Sequence, residues 1–162
     1  MSYDFDLGLG IITLSFTETV DPSTLNAGAF RLQSSGAFPV DAQNLTGVVT
    51  NSSIGSEVVV YVQLEDLDIV KQTAGFGTAR GNTFLAVAEG ALADTAGNML
   101  VEVSANEALQ VTRFIPDVIR PSLLSFDLNM NSGILTLIFN DCLLYTSPSP
   151  RDATLSRMPS SA

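Results

Sequence analysis

Residues 10–18 read Gly10-Ile11-Ile12-Thr13-Leu14-Ser15-Phe16-Thr17-Glu18. Apolar and polar side chains alternate along this stretch, which is the pattern of a β-strand with one buried face. Ile12, Leu14 and Phe16 share one face, and we expect that face to be buried. Residues 3–7 alternate in the same way, and the glycines at 8 and 10 favour a tight turn between the two segments. The pattern therefore predicts a β-hairpin at the start of the chain.

The same stretch occurs a second time, 123 residues later, as Gly133-Ile134-Leu135-Thr136-Leu137-Ile138-Phe139-Asn140-Asp141. A shorter match precedes each copy, at residues 5–7 and 126–128, with an offset of 121 residues. The difference between the two offsets predicts turns that differ by two residues in length. A period near 120 residues is too long for one solenoid unit and indicates a tandem array of independently folded domains.

The repeat divides the chain into three parts. Residues 1–118 hold one full copy, and residues 119–141 hold the start of a second, truncated copy. Residues 115–121 contain two prolines, which favour extended backbone, so we expect a short and semi-rigid linker there.

Further strands and turns follow the first hairpin within the full copy. We expect strands at residues 29–33, 45–50, 58–64, 83–88 and 108–114. Val58, Val60, Val62 and Leu64 form the better core face of their strand. Helical turns are predicted at residues 21–25, which open with Asp-Pro, and at residues 65–71, where acids come early and a lysine late. About seven strands with turns between them predict an all-β fold, an antiparallel β-sandwich.

Residues 142–162 read differently from the rest. Back-translated, residues 142–152 resemble a transposase-type library adapter, and residues 156–162 resemble the flow-cell end of the same adapter. The three residues between them stand where a sample index would sit. Two matches in one frame indicate an adapter-derived artefact tail rather than a natural Ser/Pro-rich segment. The tail holds the single cysteine, Cys142. Without it the chain has no cysteine, so cysteine content does not indicate whether the protein occupies an oxidising or a reducing compartment.

Two segments of the full copy resemble the bacterial-type Ig-like tandem repeats of S-layer and adhesin surface proteins. The first is Thr13-Leu14-Ser15-Phe16-Thr17-Glu18-Thr19-Val20-Asp21-Pro22-Ser23-Thr24-Leu25, a strand that leads into an Asp-Pro turn. The second is Gly90-Ala91-Leu92-Ala93-Asp94-Thr95-Ala96-Gly97-Asn98-Met99-Leu100, near the end of the domain. The resemblance implies an Ig-like β-sandwich, an extracellular or cell-surface location and no shared catalytic residues. The match is poor between residues 34 and 56.

The composition argues against several classes of function. The formal net charge is −10, and a surface of that sign repels phosphate, so we expect no nucleic-acid partner. No apolar run approaches the length that spans a bilayer, so we expect no membrane insertion by this segment. The chain has no histidine and no cysteine before residue 142, which rules out Ser-His-Asp and Cys-His catalysis there. We therefore expect no enzyme.

We expect no cofactor, and calcium is the one alternative that the acidic residues make possible. Calcium takes six to eight oxygen ligands, commonly from loops. The candidate ligands are Asp66, Asp68, Asp94, Asn98 and Asp117. The alternative interpretations are structural: residues 65–68 as a solvated helix start, and residues 94–98 as a tight turn closed by Asp and Asn side chains.

We expect a non-catalytic structural or adhesive repeat module of a larger cell-surface or secreted protein, with neighbouring repeats of the same chain as its first partners. One alternative is a module that binds a glycan or a surface protein through the loops at residues 34–44 and 75–82. An exposed aromatic cluster on one sheet face would support that alternative. The other alternative is a spacer between domains that bound calcium stiffens.

Overall fold

The structure is a computed structural model that describes residues 1–139. The chain forms two compact units, Met1–Ile119 and Arg120–Ala162, and the second unit is described only up to residue 139. The predicted adapter tail, residues 142–162, lies outside the described residues, as do Asn140 and Asp141.

β-strands are the main regular secondary structure of the first unit. Its strands are β1 (Ser2–Asp6), β2 (Ile11–Asp21), β3 (Phe30–Gln33), β4 (Ala42–Asn44), β5 (Val48–Val49), β6 (Gly55–Val62), β7 (Phe84–Val87), β8 (Ala93–Asp94), β9 (Leu109–Gln110) and β10 (Arg113–Ile115). One α-helix, α1 (Leu64–Gln72), follows β6 directly. Short 3-10 turns occupy Pro22–Thr24, Ala27–Ala29 and Arg80–Asn82.

The strands of the first unit form two sheets. The larger has the order β10-β1-β2-β6-β5, with β8 pairing to the end of β2, and the smaller has the order β4-β3-β7-β9. β10 runs parallel to β1, whereas the other pairs in both sheets are antiparallel. The prediction of an all-β fold with antiparallel pairing is confirmed, with one departure: the parallel pair of β1 and β10 makes the larger sheet mixed.

The mixed sheet arises where the chain passes from one sheet to the other. The predicted strand at 108–114 is two strands, β9 in the smaller sheet and β10 in the larger, with the buried Val111 between them. Within the predicted strand at 45–50, only β5 (Val48–Val49) is a strand, in the larger sheet; β4, in the smaller sheet, ends at Asn44, and the buried Leu45 lies between the two. After the crossing at Val111, the chain continues as β10, which lies beside β1 and runs in the same direction.

Side chains from both sheets and from α1 form one hydrophobic core. Tyr3, Phe5, Ile12 and Leu14 of the first hairpin are among its most buried members, which confirms the predicted inward face of β2. Val58, Val60 and Val62 are buried as predicted, but Leu64 is exposed because the chain has already turned into α1 there. The predicted Asp-Pro turn is a 3-10 turn whose Asp21 side chain caps the Ser23 amide.

The described part of the second unit is a hairpin of β11 (Leu123–Asn129) and β12 (Ile134–Phe139). Asn129 pairs with Ile134, as Asp6 pairs with Ile11 in the first hairpin. Both turns therefore contain four residues, 7–10 and 130–133, and each ends in a glycine with positive φ.

The predicted difference of two residues between the turns is wrong. The register aligns the two hairpins without a gap at an offset of 123 residues, so the segment Ser2-Tyr3-Asp4-Phe5-Asp6 corresponds to Ser125-Phe126-Asp127-Leu128-Asn129. The match of residues 5–7 with 126–128 had placed Phe5 two positions away from its structural equivalent. The corrected alignment adds identities at Ser2 and Asp4 to those already seen between residues 10 and 16.

Candidate functional site

Asp66 is a buried carboxylate in the first turn of α1. Its Oδ2 accepts a hydrogen bond of 2.8 Å from the Thr46 amide, and its Oδ1 accepts one of 2.8 Å from Gln43 Nε2. The Thr46 hydroxyl lies 3.2 Å from both oxygens. The interpretation of residues 65–68 as a solvated helix start is therefore wrong for Asp66, which fastens α1 to the crossing between β4 and β5.

Asp68 lies two positions further along α1 and is only half-buried. Side chains at i and i+2 point away from each other on a helix, so α1 presents Asp66 and Asp68 in different directions. The helix does not bring these two candidate ligands together.

Asp94 and Asn98 close a tight turn after β8. Asp94 Oδ1 accepts from the amides of Ala96 and Asn98 at 2.8 Å each, and its Oδ2 accepts from Asn98 Nδ2 at 2.7 Å. Gly97 supplies a φ of +87° within the turn. These hydrogen bonds, that of the Asn98 side chain first, hold the pKa of Asp94 below its ordinary value. The predicted turn geometry is confirmed.

Asp117 lies in the predicted linker and pairs with the single lysine of the chain. Lys71 Nζ is 2.7 Å from Asp117 Oδ2, and both side chains are largely buried. Asp117 Oδ1 accepts from the Ile119 amide at 2.9 Å, and the Asp117 backbone lies close over Gly8. The hydrogen bond from Lys71 holds the pKa of Asp117 below its ordinary value. The start of the linker is thus attached to the end of α1 and to the first turn.

The five candidate ligands occupy several separate positions. Asp94 and Asn98 meet each other, whereas Asp66 and Asp117 have partners that are not candidate ligands. Within residues 1–139, no three or more Asp, Glu, His or Cys side chains are grouped closely enough to hold a metal ion. Calcium binding stays an untested alternative to the expectation of no cofactor.

A groove of about 380 Å³ lies between the second half of β2 and the segment after the Asp94 turn. Its walls are largely apolar and include Phe16, Leu92 and Met99, while Glu18, Asp94 and Glu102 supply acidic groups. Among the described residues that line the groove, the ionisable side chains are carboxylates. The groove could accept a small apolar or cationic group.

Exposed aromatic side chains are scattered over the part of the chain that the structure describes. They are Phe38 on the β3–β4 loop, Tyr61 on β6 and Phe126 on β11. They form no cluster on one sheet face in residues 1–139, which weighs against a flat glycan platform. Phe38 is nevertheless 84% exposed at a φ of +51°, a region that non-glycine residues seldom adopt.

Sequence reasoning missed the partners of the acidic residues. Gln43 and Thr46 lie some twenty residues before Asp66, in a segment without a recognisable pattern, so nothing local pointed to them. Lys71 did carry a signal. It is the single lysine of an acidic chain, so one of the many carboxylates could be expected beside it.

Comparisons with known proteins found no relatives for this chain: no family model, no curated protein and no solved structure matches it. No helix within residues 1–139 is long and apolar enough to cross a membrane.

Proposed function

We propose that the first unit is a structural or adhesive module, an Ig-like β-sandwich that is repeated along a larger cell-surface or secreted protein. It performs no catalysis in this proposal. Its role is to set distance and stiffness between other parts of that protein, with neighbouring copies as its first partners. Residues 142–162 are, in the same proposal, an adapter-derived tail outside the natural sequence.

The observation that carries the proposal is the pair of matching hairpins. Two hairpins 123 residues apart share a strand register, a four-residue turn and a closing glycine with positive φ. One fold repeated in tandem accounts for all three features. The Lys71–Asp117 pair supports the same function, because a module that sets spacing benefits from a linker attached to its body.

The uninterrupted gene tests this proposal. Sequencing genomic DNA across the codons for Asp141 and Cys142 should replace the tail with a continuation of the second copy, followed by further copies. A catalytic domain in that position would contradict the proposal, and so would recovery of the codons for residues 142–162 from an adapter-free template.

A second candidate function is a binding module that uses the β3–β4 loop, and Phe38 favours it. Phe38 and Val40 are 84% and 93% exposed at the tip of this loop, with Pro39 between them. A bulky residue with positive φ is strained by about 1 kcal/mol or more, and such strain concentrates at functional sites. An exposed aromatic ring held in this way is suited to stacking on a sugar or to filling a pocket on a partner protein.

The Phe38→Asn variant tests the binding function on a glycan array. Asparagine tolerates positive φ, so the variant should be slightly more stable than the parent while its binding falls at least about tenfold. Val40→Asn is the matched control, since it removes an equally exposed apolar side chain without positive φ. Equal binding by the parent and Phe38→Asn would exclude the loop as the contact surface.

A further inference from the structure

The β11–β12 hairpin exposes an apolar face. The four side chains on that face, Phe126, Leu128, Leu135 and Leu137, are between 42% and 67% exposed. Two cross-strand pairs join them, Phe126 with Leu137 and Leu128 with Leu135. An isolated two-stranded hairpin is marginally stable at best in water, so a face of this kind requires a partner.

The first hairpin shows what covers such a face. The equivalent pairs there are Tyr3 with Leu14 and Phe5 with Ile12. All four side chains are 1% exposed or less, because the remainder of the first unit packs on them. The strand edges are also occupied, β2 by β6 and β1 by β10.

We propose that the apolar face of β11–β12 is the docking surface for a body equivalent to residues 19–119, belonging to the second copy of the module. The inference rests on the proposed function and deepens it, because it names the occupant of the second hairpin and the register in which it docks. In that register Phe126, Leu128, Leu135 and Leu137 occupy the core positions of Tyr3, Phe5, Ile12 and Leu14.

The turn glycines favour this register. A Cβ atom at Gly10 would collide with the Leu67 side chain of α1, and the φ of +67° independently favours glycine there. Gly133 has the equivalent φ of +69° and nothing within 4 Å of its Cβ position. The second hairpin thus keeps open the space that a leucine equivalent to Leu67 would fill.

The side chains that differ between the hairpins are also compatible. Phe126 replaces Tyr3, whose buried hydroxyl has no hydrogen-bond partner among the described residues, so the exchange removes an unsatisfied polar atom. Asn131 replaces Gly8, where an added Cβ would make only ordinary contacts of 3.5 Å or more. Asp127 and Thr136 repeat the polar pair of Asp4 and Thr13 on the opposite face.

A hairpin exchange tests whether residues 19–119 accept the second hairpin. In the full chain, residues 1–18 are replaced by the sequence of residues 124–141. The exchanged chain should keep a cooperative melting transition within about 10 °C of the parent. The matched control inserts residues 123–140 instead; this one-residue slip turns the apolar side chains to the solvent face and should abolish the transition. Loss of the transition in both chains would overturn the proposal.

A second experiment leaves the second hairpin at its own position in the chain and adds the rest of a module after it. Residues 19–119 are appended after Asp141, and hydrogen exchange is measured across β11 and β12. Amide protection there should rise at least about 100-fold over the parent chain. Leu137→Asp should cancel that gain and leave the amides of β1 and β2 unchanged, because residue 137 belongs to the second core alone.

Unchanged exchange rates in β11 and β12 after the addition would overturn the docking inference. The outcome is distinguishable from a failure of the proposed function, which is decided by the gene downstream of Asp141. A gene that continues into repeats, together with an unprotected hairpin in the extended chain, would leave the function standing and remove only the docking register.

Discussion

The buried Asp66 carboxylate joins α1 to the chain segment that contains Gln43 and Thr46. Each of its oxygens accepts from a nitrogen donor at 2.8 Å, one from the Thr46 amide and one from Gln43 Nε2. In Asp66→Asn, either orientation of the new amide turns an NH₂ group toward one of these donors. We expect the free energy of unfolding to fall by about 2–3 kcal/mol, measured by urea denaturation.

Glu65→Gln is the control for Asp66→Asn, because it removes a charge from the same turn of α1 at an exposed position. Its effect should stay within about 0.5 kcal/mol. An Asp66→Asn variant as stable as Glu65→Gln would show that the Asp66 hydrogen bonds do not stabilise the fold.

Gly10 is constrained by its backbone conformation and by its neighbour. Its φ is +67°, and an added Cβ would collide with Leu67. Gly90 has a φ of +78° and nothing within 4 Å, so Gly90→Ala measures the conformational cost alone, about 1 kcal/mol. Gly10→Ala should cost at least about 2–3 kcal/mol by the same denaturation measurement. Equal costs at the two positions would mean that Leu67 moves aside freely.

At the scale of single residues, local patterns were predictable and distant partners were not. The Asp94 turn could be predicted because its hydrogen bonds connect residues within four positions of one another. The environment of Asp66 could not, since its donors belong to a chain crossing whose position depends on the packing of both sheets. The exposed, strained backbone of Phe38 likewise has no signature in the residue type itself.

At the scale of elements, the salt bridge between Lys71 and Asp117 joins α1 to the linker. The folded-state pKa of Asp117 is below its ordinary value of about 4, so the pair stabilises the fold at all pH values above that ordinary value. The stabilisation is lost as the pH falls through the lowered, folded-state pKa. Asp117→Asn should therefore cost about 1 kcal/mol at pH 7, and that cost should shrink as the pH falls through the lowered pKa of Asp117.

Urea denaturation of the parent chain and of Asp117→Asn between pH 7 and pH 2.5 measures this difference. The gap between the two stability curves should narrow toward the acidic end. Glu89→Gln, a neutralisation at an exposed position of the same unit, should leave the curve parallel to that of the parent. A constant gap between the parent and Asp117→Asn would mean that the salt bridge does not account for the cost.

The strands that stay in one sheet were predictable from alternation, and those that change sheets were not. β2 alternates over its first half, and its buried face follows that alternation. The segments 45–50 and 108–114 cross between the sheets at Leu45 and Val111, both fully buried. Each crossing residue is itself buried in the core, as an inward-facing residue of one continuous strand would be, so the apolar pattern does not mark the break.

At the scale of the whole molecule, the net charge of −10 makes general cation effects unavoidable. Any salt screens the mutual repulsion of the carboxylates and raises stability to some extent, whether or not a specific site exists. A calcium site is therefore established only by a difference between calcium and another divalent cation at equal ionic strength. Magnesium is the suitable comparison, because its small, rigid octahedral shell is poorly served by a site shaped for calcium.

We expect the melting midpoint in about 5 mM calcium to match that in equal magnesium within about 1 °C. Three of the candidate carboxylates, Asp66, Asp94 and Asp117, already accept hydrogen bonds or pair with Lys71, and residues 1–139 hold no group of three acidic side chains that could bind a metal. Calcium would have to displace those donors to gain its ligands. A midpoint several degrees higher in calcium alone, reversed by a chelator, would establish the stiffened spacer instead. Asp94→Asn and Asp117→Asn would then locate the ion, since only the variant that lacks a ligand would lose the shift.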